Sequence, residues 1–350
     1  MNTLKRKIQL LAVAAALAAG AAGNAQAALD LTGADHVTFG DANSYALQVE
    51  GVIAGDTGPG SAYYVNSTPG AIKDLIVVAT GASGGLVNTN VAGMDNALST
   101  PSGVSGSNFF SGIWNSTLAA FTGFLAGENP LFFFNNNQVN SGAATNQNVA
   151  VWAQVSLTGT GANTRYFTFS NLGSSYALFT EGGGGIFNGT AGTGAFGGIN
   201  VAASALPGPL AGTNAATDYV LSGGPICLTA ADIPVSCSSP GAVTGPINNN
   251  LGANQAAYAL DSPALNDFLA DWIGGSFSDY TDIHVNLRFG CDPATGTAGV
   301  GDCIGRDANN GFEQLFIGTS TTVIQVPEPG MLALLALGLL GLGLAYRRKS

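Results

Sequence analysis

The chain has 350 residues, of which only 9% are charged, with 51 glycines and a hydrophobic fraction of 46%. Twenty of its 21 acidic residues lie between residues 28 and 325, but only four of its ten basic ones do: Lys73, Arg165, Arg288 and Arg306. So acidic an interior excludes nucleic acid and anionic lipid as partners of the core, because neutralising phosphate needs basic side chains, and the apolar fraction excludes a wholly disordered chain.

The N-terminus carries Lys5, Arg6 and Lys7, an apolar run from Ile8 to Ala22, and then Ala25-Gln26-Ala27. A basic head, a greasy stretch and an A-x-A site form a secretory signal peptide, cleaved before Ala28. Residues 1–27 are therefore expected to be lost. Residues 28–325 form an extracytoplasmic, β-rich domain, large enough for one all-β unit or two small ones. Richness in glycine, asparagine and threonine disfavours long helices and favours strands joined by turns.

Tyr45–Ile53, Ala62–Val65 and Ile72–Ala79 read as strands separated by glycine- and proline-bearing turns. Leu75–Val78 is a continuous apolar run suited to burial on both faces. Trp114–Phe124 fits a strand or a short helix. Leu131–Phe134 is an apolar patch beside an asparagine turn cluster at 135–137. In Val149–Leu157, Val149, Val151, Ala153, Val155 and Leu157 share one face with Trp152 on the other, and Arg165–Phe169 follows across a short turn as a hairpin partner. Tyr176–Thr180 suggests a further strand. Residues 181–216, nearly free of charge, read as long loops with short strands, and Tyr219–Leu221 starts a strand towards the first cysteines.

Cys227, Cys237, Cys291 and Cys303 are four cysteines in an exported chain, and an even count in that setting implies two disulfides. Three connectivities are open; the local one, 227–237 and 291–303, is preferred. No C-x-x-C spacing or neighbouring histidine favours zinc.

One helix stands out. Ser262 is a good N-cap, Pro263 suits the first turn, and Leu265, Phe268, Leu269 and Trp272 fall on one face before Gly274-Gly275. Ile283, Val285, Leu287 and Phe289 then alternate with His284, Asn286 and Arg288, the pattern of a half-buried antiparallel strand, for which Phe312–Ile317 is the expected partner. The whole reads as an all-β fold, a jelly-roll-like β-sandwich with one late amphipathic helix.

Chemistry-bearing groups are sparse. His284 and His36 read as ordinary satisfied histidines. No G-x-S-x-G, H-E-x-x-H or P-loop stands out on this reading, and Gly182–Gly185 is a turn. Asp267 with Asp271 and Asp279 with Asp282 are carboxylate pairs of the kind a glycosidase needs, although among twenty acids such neighbours arise by chance. Asp302, Asp307 and Asn309, with Asn310 and Glu313 nearby, offer hard oxygen donors suited to calcium, on a spacing that departs from the EF-hand loop. The sequons at Asn66, Asn115 and Asn188 read as incidental.

The C-terminus has three parts: Val326, Pro327, Glu328 and Pro329; an apolar run over 330–346; and Arg347, Arg348 and Lys349 before Ser350. The two prolines hold the tripeptide extended, as a peptidase requires. The apolar run, at about 1.5 Å per residue, spans roughly 25 Å, close to a hydrocarbon core, and the basic stop belongs on the cytoplasmic side. A plain tail anchor is the alternative. The order of motif, transmembrane helix and basic end resembles the PEP-CTERM sorting domain of Gram-negative bacteria, whose namesake residues are Pro327, Glu328 and Pro329. The resemblance implies transit through the inner membrane, cutting by an exosortase-like transpeptidase, and association with exopolysaccharide and biofilm. The block from Asn286 to Ile317 also resembles the terminal strand pair of other PEP-CTERM ectodomains.

Three functions are expected from this reading. The preferred one is a non-catalytic surface or matrix protein with an adhesive or glycan-binding ectodomain. The others are a glycan-acting hydrolase on the same anchor and an ice- or surface-binding adhesin; the lack of a regular threonine repeat weighs against the last.

Overall fold

The computed structural model describes residues 26–29, 31–39, 42–68, 72, 75–81, 88, 92–100, 109–135, 151–162, 164–169, 226–236, 241–290, 313–319 and 323–325. In chain order the strands are β1 (Gln26–Ala28), β2 (Val37–Phe39), β3 (Ala42–Ala46), β4 (Ile76–Thr80), β5 (Leu98–Ser99), β6 (Phe109–Thr117), β7 (Pro130–Asn135), β8 (Val151–Gly159), β9 (Arg165–Thr168), β10 (Ile226–Leu228), β11 (Pro234–Ser236), β12 (Thr244–Ile247), β13 (Tyr258–Asp261), β14 (Tyr280–Gly290), β15 (Gln314–Thr319) and β16 (Val323–Gln325). The helices are α1 (Leu47–Ile53), α2 (Leu118–Leu125) and α3 (Pro263–Ile273). The chain divides into two units, residues 1–28 with 323–350, and residues 29–322.

In the first unit, β1 and β16 form an antiparallel ribbon that pairs Gln26 with Gln325, Ala27 with Ile324 and Ala28 with Val323. The second unit is all-β in character. Among its described residues a seven-stranded sheet runs in the order β2-β3-β13-β7-β15-β4-β5, a four-stranded sheet in the order β6-β14-β8-β9, and a small three-stranded sheet in the order β11-β10-β12.

The apolar alternation of β14 explains how the two larger sheets meet. Ile283, Val285, Leu287 and Phe289 are fully buried, as are Ala153, Val155 and Leu157 of the neighbouring β8. These side chains share a core with Phe132 and Phe134 of β7, Tyr258 and Leu260 of β13, and Leu315 and Ile317 of β15. Phe134 meets Phe289 edge-on, with ring centroids 6.2 Å apart. The seven-stranded sheet is also buried on its other side, where Phe133 stacks on Phe316 at 5.3 Å. Strands as uniformly apolar as Leu131–Phe134 or Ile76–Ala79 therefore sit in its interior, covered on both faces.

Polar residues at the ends of these strands are paired with one another. Asn135 donates from Nδ2 to Ser67 Oγ at 2.7 Å and to Gln314 Oε1, and Gln314 Nε2 donates to Thr80 Oγ1 at 2.7 Å. Buried amides are tolerated when they find partners, and here they tie β7, β15 and β4 across their register.

The late helix forms as expected. Ser262 Oγ accepts from the Leu265 amide and Pro263 opens the helix. The β8–β9 hairpin also forms, with Leu157 opposite Arg165. Other segments differ from the sequence reading. Tyr45–Ile53 is a strand only to Ala46, after which Leu47–Ile53 is helical. Gly51 lets this helix approach a returning loop: a Cβ there would lie 2.9 Å from the Asp56 carbonyl, and Asp56 N–H donates to the Gly51 carbonyl. Ala62–Val65 forms turns rather than a strand, and the next strand begins at Ile76, not Ile72. Trp114–Phe124 is both alternatives in succession, because Thr117 ends β6 and its hydroxyl caps α2 through the Ala120 amide.

Asn135 belongs to β7 and is buried instead of turning the chain. The partner expected for β14 is a further correction. The segment ending at Ile317 lies in the other sheet, between β7 and β4. Residues Gln314–Gly318 are buried without alternation, so β15 needs cover on both faces. The four-stranded sheet, with polar residues alternating along β14, could not give it that.

Candidate functional site

The sorting segment, Val326, Pro327, Glu328 and Pro329, lies outside the described residues, as do the expected transmembrane helix at 330–346, the basic stop at Arg347, Arg348 and Lys349, and Ala25 of the cleavage site. Ala27 and Ala28, on either side of the expected cut, are paired with β16. Among the described residues no helix is long and apolar enough to cross a membrane.

Cys227 is disulfide-bonded. It is the only described cysteine, so no bridge is seen between two described residues; Cys237, Cys291 and Cys303 lie outside them. The backbone closes tightly around Cys227, since a Cβ on Gly245, whose φ is +121°, would sit 2.9 Å from its sulfur. The proposed calcium donors Asp302, Asp307 and Asn309 also lie outside the described residues, among which no group of three acidic, histidine or cysteine side chains is placed to hold a metal.

Two arrangements can be built from described residues. The first is the face of the four-stranded sheet opposite the core. Because Ile283 and Val285 point into the core, His284 and Asn286 fall on the other face. The register places His284 between Asn115 of β6 and Ser156 of β8, and Ser156 opposite Tyr166 of β9. One cross-sheet row therefore reads Asn115, His284, Ser156, Tyr166.

His284 is fixed at both nitrogens: Nδ1 lies 2.7 Å from Asn115 Oδ1 and Nε2 lies 2.8 Å from Thr158 Oγ1. With the carbonyl oxygen of Asn115 accepting, Nδ1 carries the proton and Nε2 accepts from the threonine hydroxyl. Asn115 is itself held by the Asp95 carboxylate, which accepts from Nδ2 at 2.7 Å. In the next row Asn286 stands between Gln154 and the exposed Ile113. The expectation of a satisfied histidine at 284 thus holds, with partners from two strands, β6 and β8, that the sequence could not name.

The second arrangement lies at the β3–β13 end of the seven-stranded sheet, where sequence reading singled out only His36. A cleft of about 270 Å³ opens there, lined by Leu29, Leu31, Leu131, Tyr45 and Asp261 among others. Asn266 Nδ2 donates to Asp261 Oδ1 at 2.6 Å, and the rings of His36 and Tyr45 lie 5.1 Å apart. Burial holds the Asp261 carboxyl above the usual carboxylate range, against the lowering effects of Asn266 and His36. The Tyr45 phenol is pushed up to about 12, chiefly by burial and then by the Asp261 charge. Nearby Glu50 is pushed up to about 7, chiefly by burial, although the Asp35 backbone amide hydrogen-bonds it and opposes the shift. Clustered shifts of this kind mark functional sites and structural networks alike.

The carboxylates of the two candidate pairs are all described. Asp267 and Asp271 are on the exposed side of α3, and Asp282 accepts from Thr281 Oγ1 at 2.6 Å. The sequence reading that no G-x-S-x-G stands out is corrected here: Gly81-Ala82-Ser83-Gly84-Gly85 has that spacing directly after β4. A nucleophile elbow requires a strand, a sharp turn and a helix; β4 is the strand, and residues 82–87 lie outside the described ones.

A family model for a domain of unknown function (DUF8239) matches residues 28–288, and the model of the PEP-CTERM protein-sorting motif matches residues 325–349. No curated protein and no solved structure matches the chain. The sorting motif implies export, membrane-anchored sorting to the cell envelope and processing by exosortase, a membrane protein. With its family model covering well over half of its length, the chain belongs to the DUF8239 family and ends in a PEP-CTERM sorting motif.

Proposed function

We propose that this protein is a non-catalytic, adhesive or glycan-binding component of the outer surface or extracellular matrix of a Gram-negative cell, associated with exopolysaccharide and biofilm. Its ectodomain is read as a jelly-roll-like β-sandwich closed by the disulfides 227–237 and 291–303. The observation that carries the reading is the row Asn115, His284, Ser156, Tyr166. It places fixed hydrogen-bonding groups beside an aromatic ring on a sheet face turned away from the core. Sugars present hydroxyls to such groups and an apolar ring face to an aromatic side chain. His284, held at both nitrogens, fixes the Asn115 and Thr158 side chains, so these polar groups lose little entropy on binding.

Binding is tested with immobilised neutral and acidic polysaccharides. The protein should be retained by a neutral glycan without degrading it, and Tyr166→Ala should weaken retention by about tenfold, the worth of roughly 1.4 kcal/mol. Retention unchanged in Tyr166→Ala and in Asn286→Ala would move any binding site away from this face.

Processing is tested on protein from the native host by intact mass, before and after reduction. The mature species should begin at Ala28 and end near Pro327–Pro329, and reduction should add four hydrogens for two disulfides. A species that retains Tyr346–Ser350 in the membrane fraction would leave a simple tail-anchored protein.

A further inference from the structure

We propose that the cleft at the β3–β13 end of the seven-stranded sheet binds one neutral sugar ring, with its hydroxyls on Asp261, Tyr45 and Asn129 and its C–H face on Leu31 and Leu131. The inference rests on the glycan-binding reading and adds a second site to it, on the other of the two larger sheets. The cleft holds about 270 Å³. At roughly 30 Å³ per water this is room for on the order of nine waters, the scale of one pyranose with its outer hydroxyls left in solvent.

Strand register builds the cleft. Leu260 and Phe132 are paired and point into the core, so Asp261 and Leu131, the next residues of β13 and β7, turn to the opposite face, where both line the cleft. On the other side of β13, Asp261 stands opposite Asn43, and Tyr45 follows two residues along β3 on the same face. Leu131 is buried and Leu31 half-buried, whereas Thr32 and Asn129, which also line the cleft, are exposed. Apolar and hydrogen-bonding groups thus meet within one opening.

The chemistry of this lining selects hydroxyls. Asp261 accepts from Asn266 Nδ2 at 2.6 Å, and its two oxygens have lone pairs for further donors. The Tyr45 hydroxyl is hydrogen-bonded by the Asn43 side chain. Both groups are therefore held before a ligand arrives, which lowers the entropy cost of binding. Thr32, Tyr45 and Asn129 donate as well as accept, while the carboxylate accepts. The matching ligand has groups that do both, as a hydroxyl does. An ammonium would leave the donors idle. A carboxylate or phosphate would meet Asp261, in an exported part with twenty acids against four bases. A wholly apolar ligand would strip water from the polar groups and return no hydrogen bonds.

The test is titration of the purified full chain in mild detergent with the methyl α-pyranosides of glucose, mannose and galactose, read by saturation-transfer NMR. At least one should bind saturably at one site. It should bind at least tenfold tighter than cyclohexanol, which has a ring and one hydroxyl, and than glucuronate, which adds a negative charge. Asp261→Ala should weaken binding tenfold or more, and Asn129→Ala, on an exposed side chain, several-fold. If Asp261→Ala fails to fold, Asn129→Ala and the ranking of ligands on the unaltered protein still decide. Cyclohexanol bound as tightly would reduce the cleft to an apolar hole, and tighter glucuronate would make it an anion site. Unchanged affinity in both variants would place the sugar elsewhere. Each of these results overturns the proposal, as does the absence of saturable glycoside binding. Polysaccharide retained without glycoside binding would sink the cleft alone, whereas glycoside binding without polysaccharide retention would sink the sheet face and keep the cleft.

Discussion

Replacing Phe134 by alanine should lower the free energy of unfolding by about 3–5 kcal/mol, the range for removing a fully buried aromatic ring from a core. Phe134 has no exposed surface. Within its own sheet it stands opposite Tyr258 on one side and Leu315 on the other, and across the core it meets Phe289 edge-on. Its ring is thus one of the points at which the two larger sheets touch, and neither sheet can collapse into the space without losing strand register. A urea titration should show a lower midpoint with unchanged slope. Ile113→Ala, on the exposed side of β6 at 53% exposure, should change stability by no more than about 0.5 kcal/mol. In a double-mutant cycle, Phe134→Ala and Phe289→Ala should couple by about 0.5–1.5 kcal/mol. A loss below about 1 kcal/mol for Phe134→Ala, with no coupling to position 289, would refute a core shared by the two sheets.

What could be read from the sequence was local. β14 is legible because Ile283, Val285, Leu287 and Phe289 alternate without a break, and α3 because its cap, its proline and its apolar stripe agree. Helix α1 was hidden, and α2 stood open against a strand, for a common reason: each continues a strand with no breaker between them. Ala46 supplies no capping side chain, and Thr117 serves as the last residue of β6 and as the cap of α2. The choice there is made by burial of Leu47 and Val49, or of Leu118 and Phe121, which is a tertiary matter.

The same division holds for the sites. Period-two alternation shows that His284 leaves the core, but its contacts, Asn115 and Thr158, are 169 and 126 residues away along the chain. Tyr45 and Asp261 look like ordinary strand residues. Asp261 precedes Ser262-Pro263, so in sequence it passes for part of a helix start, and only the pairing of Asp261 with Asn43 brings it beside β3. The sorting segment is the opposite case. Its meaning lies in the order of three short stretches of chain, so it is legible without any fold.

Glutamate 50 sets a pH dependence that the composition alone would not suggest. Its carboxyl is pushed from 4.5 up to about 7, first by burial within α1 and only secondarily by the Asp35 charge, while the Asp35 amide hydrogen-bonds it and limits the rise. Between those two values the folded protein holds a proton that the unfolded chain has released, so stability falls as pH rises through this window. The contribution is fully present below about pH 4.5 and gone above about pH 7. At 1.36 kcal/mol per pH unit it amounts to at most about 3 kcal/mol. Asp261, also raised by burial, acts with the same sign, whereas Tyr45 releases its proton only near pH 12 and contributes nothing in this window.

Glu50→Gln keeps an acceptor for the Asp35 amide and removes the charge. It should therefore be more stable than the unaltered protein at pH 8 by about 1–3 kcal/mol, nearly equal to it at pH 4.5, and less steep between, with Asp261 supplying the remaining slope. Urea midpoints at pH 4.5, 6 and 8 measure this directly. Parallel curves for the two proteins across that range would mean that Glu50 is ionised and well solvated in the fold, and that α1 does not bury it.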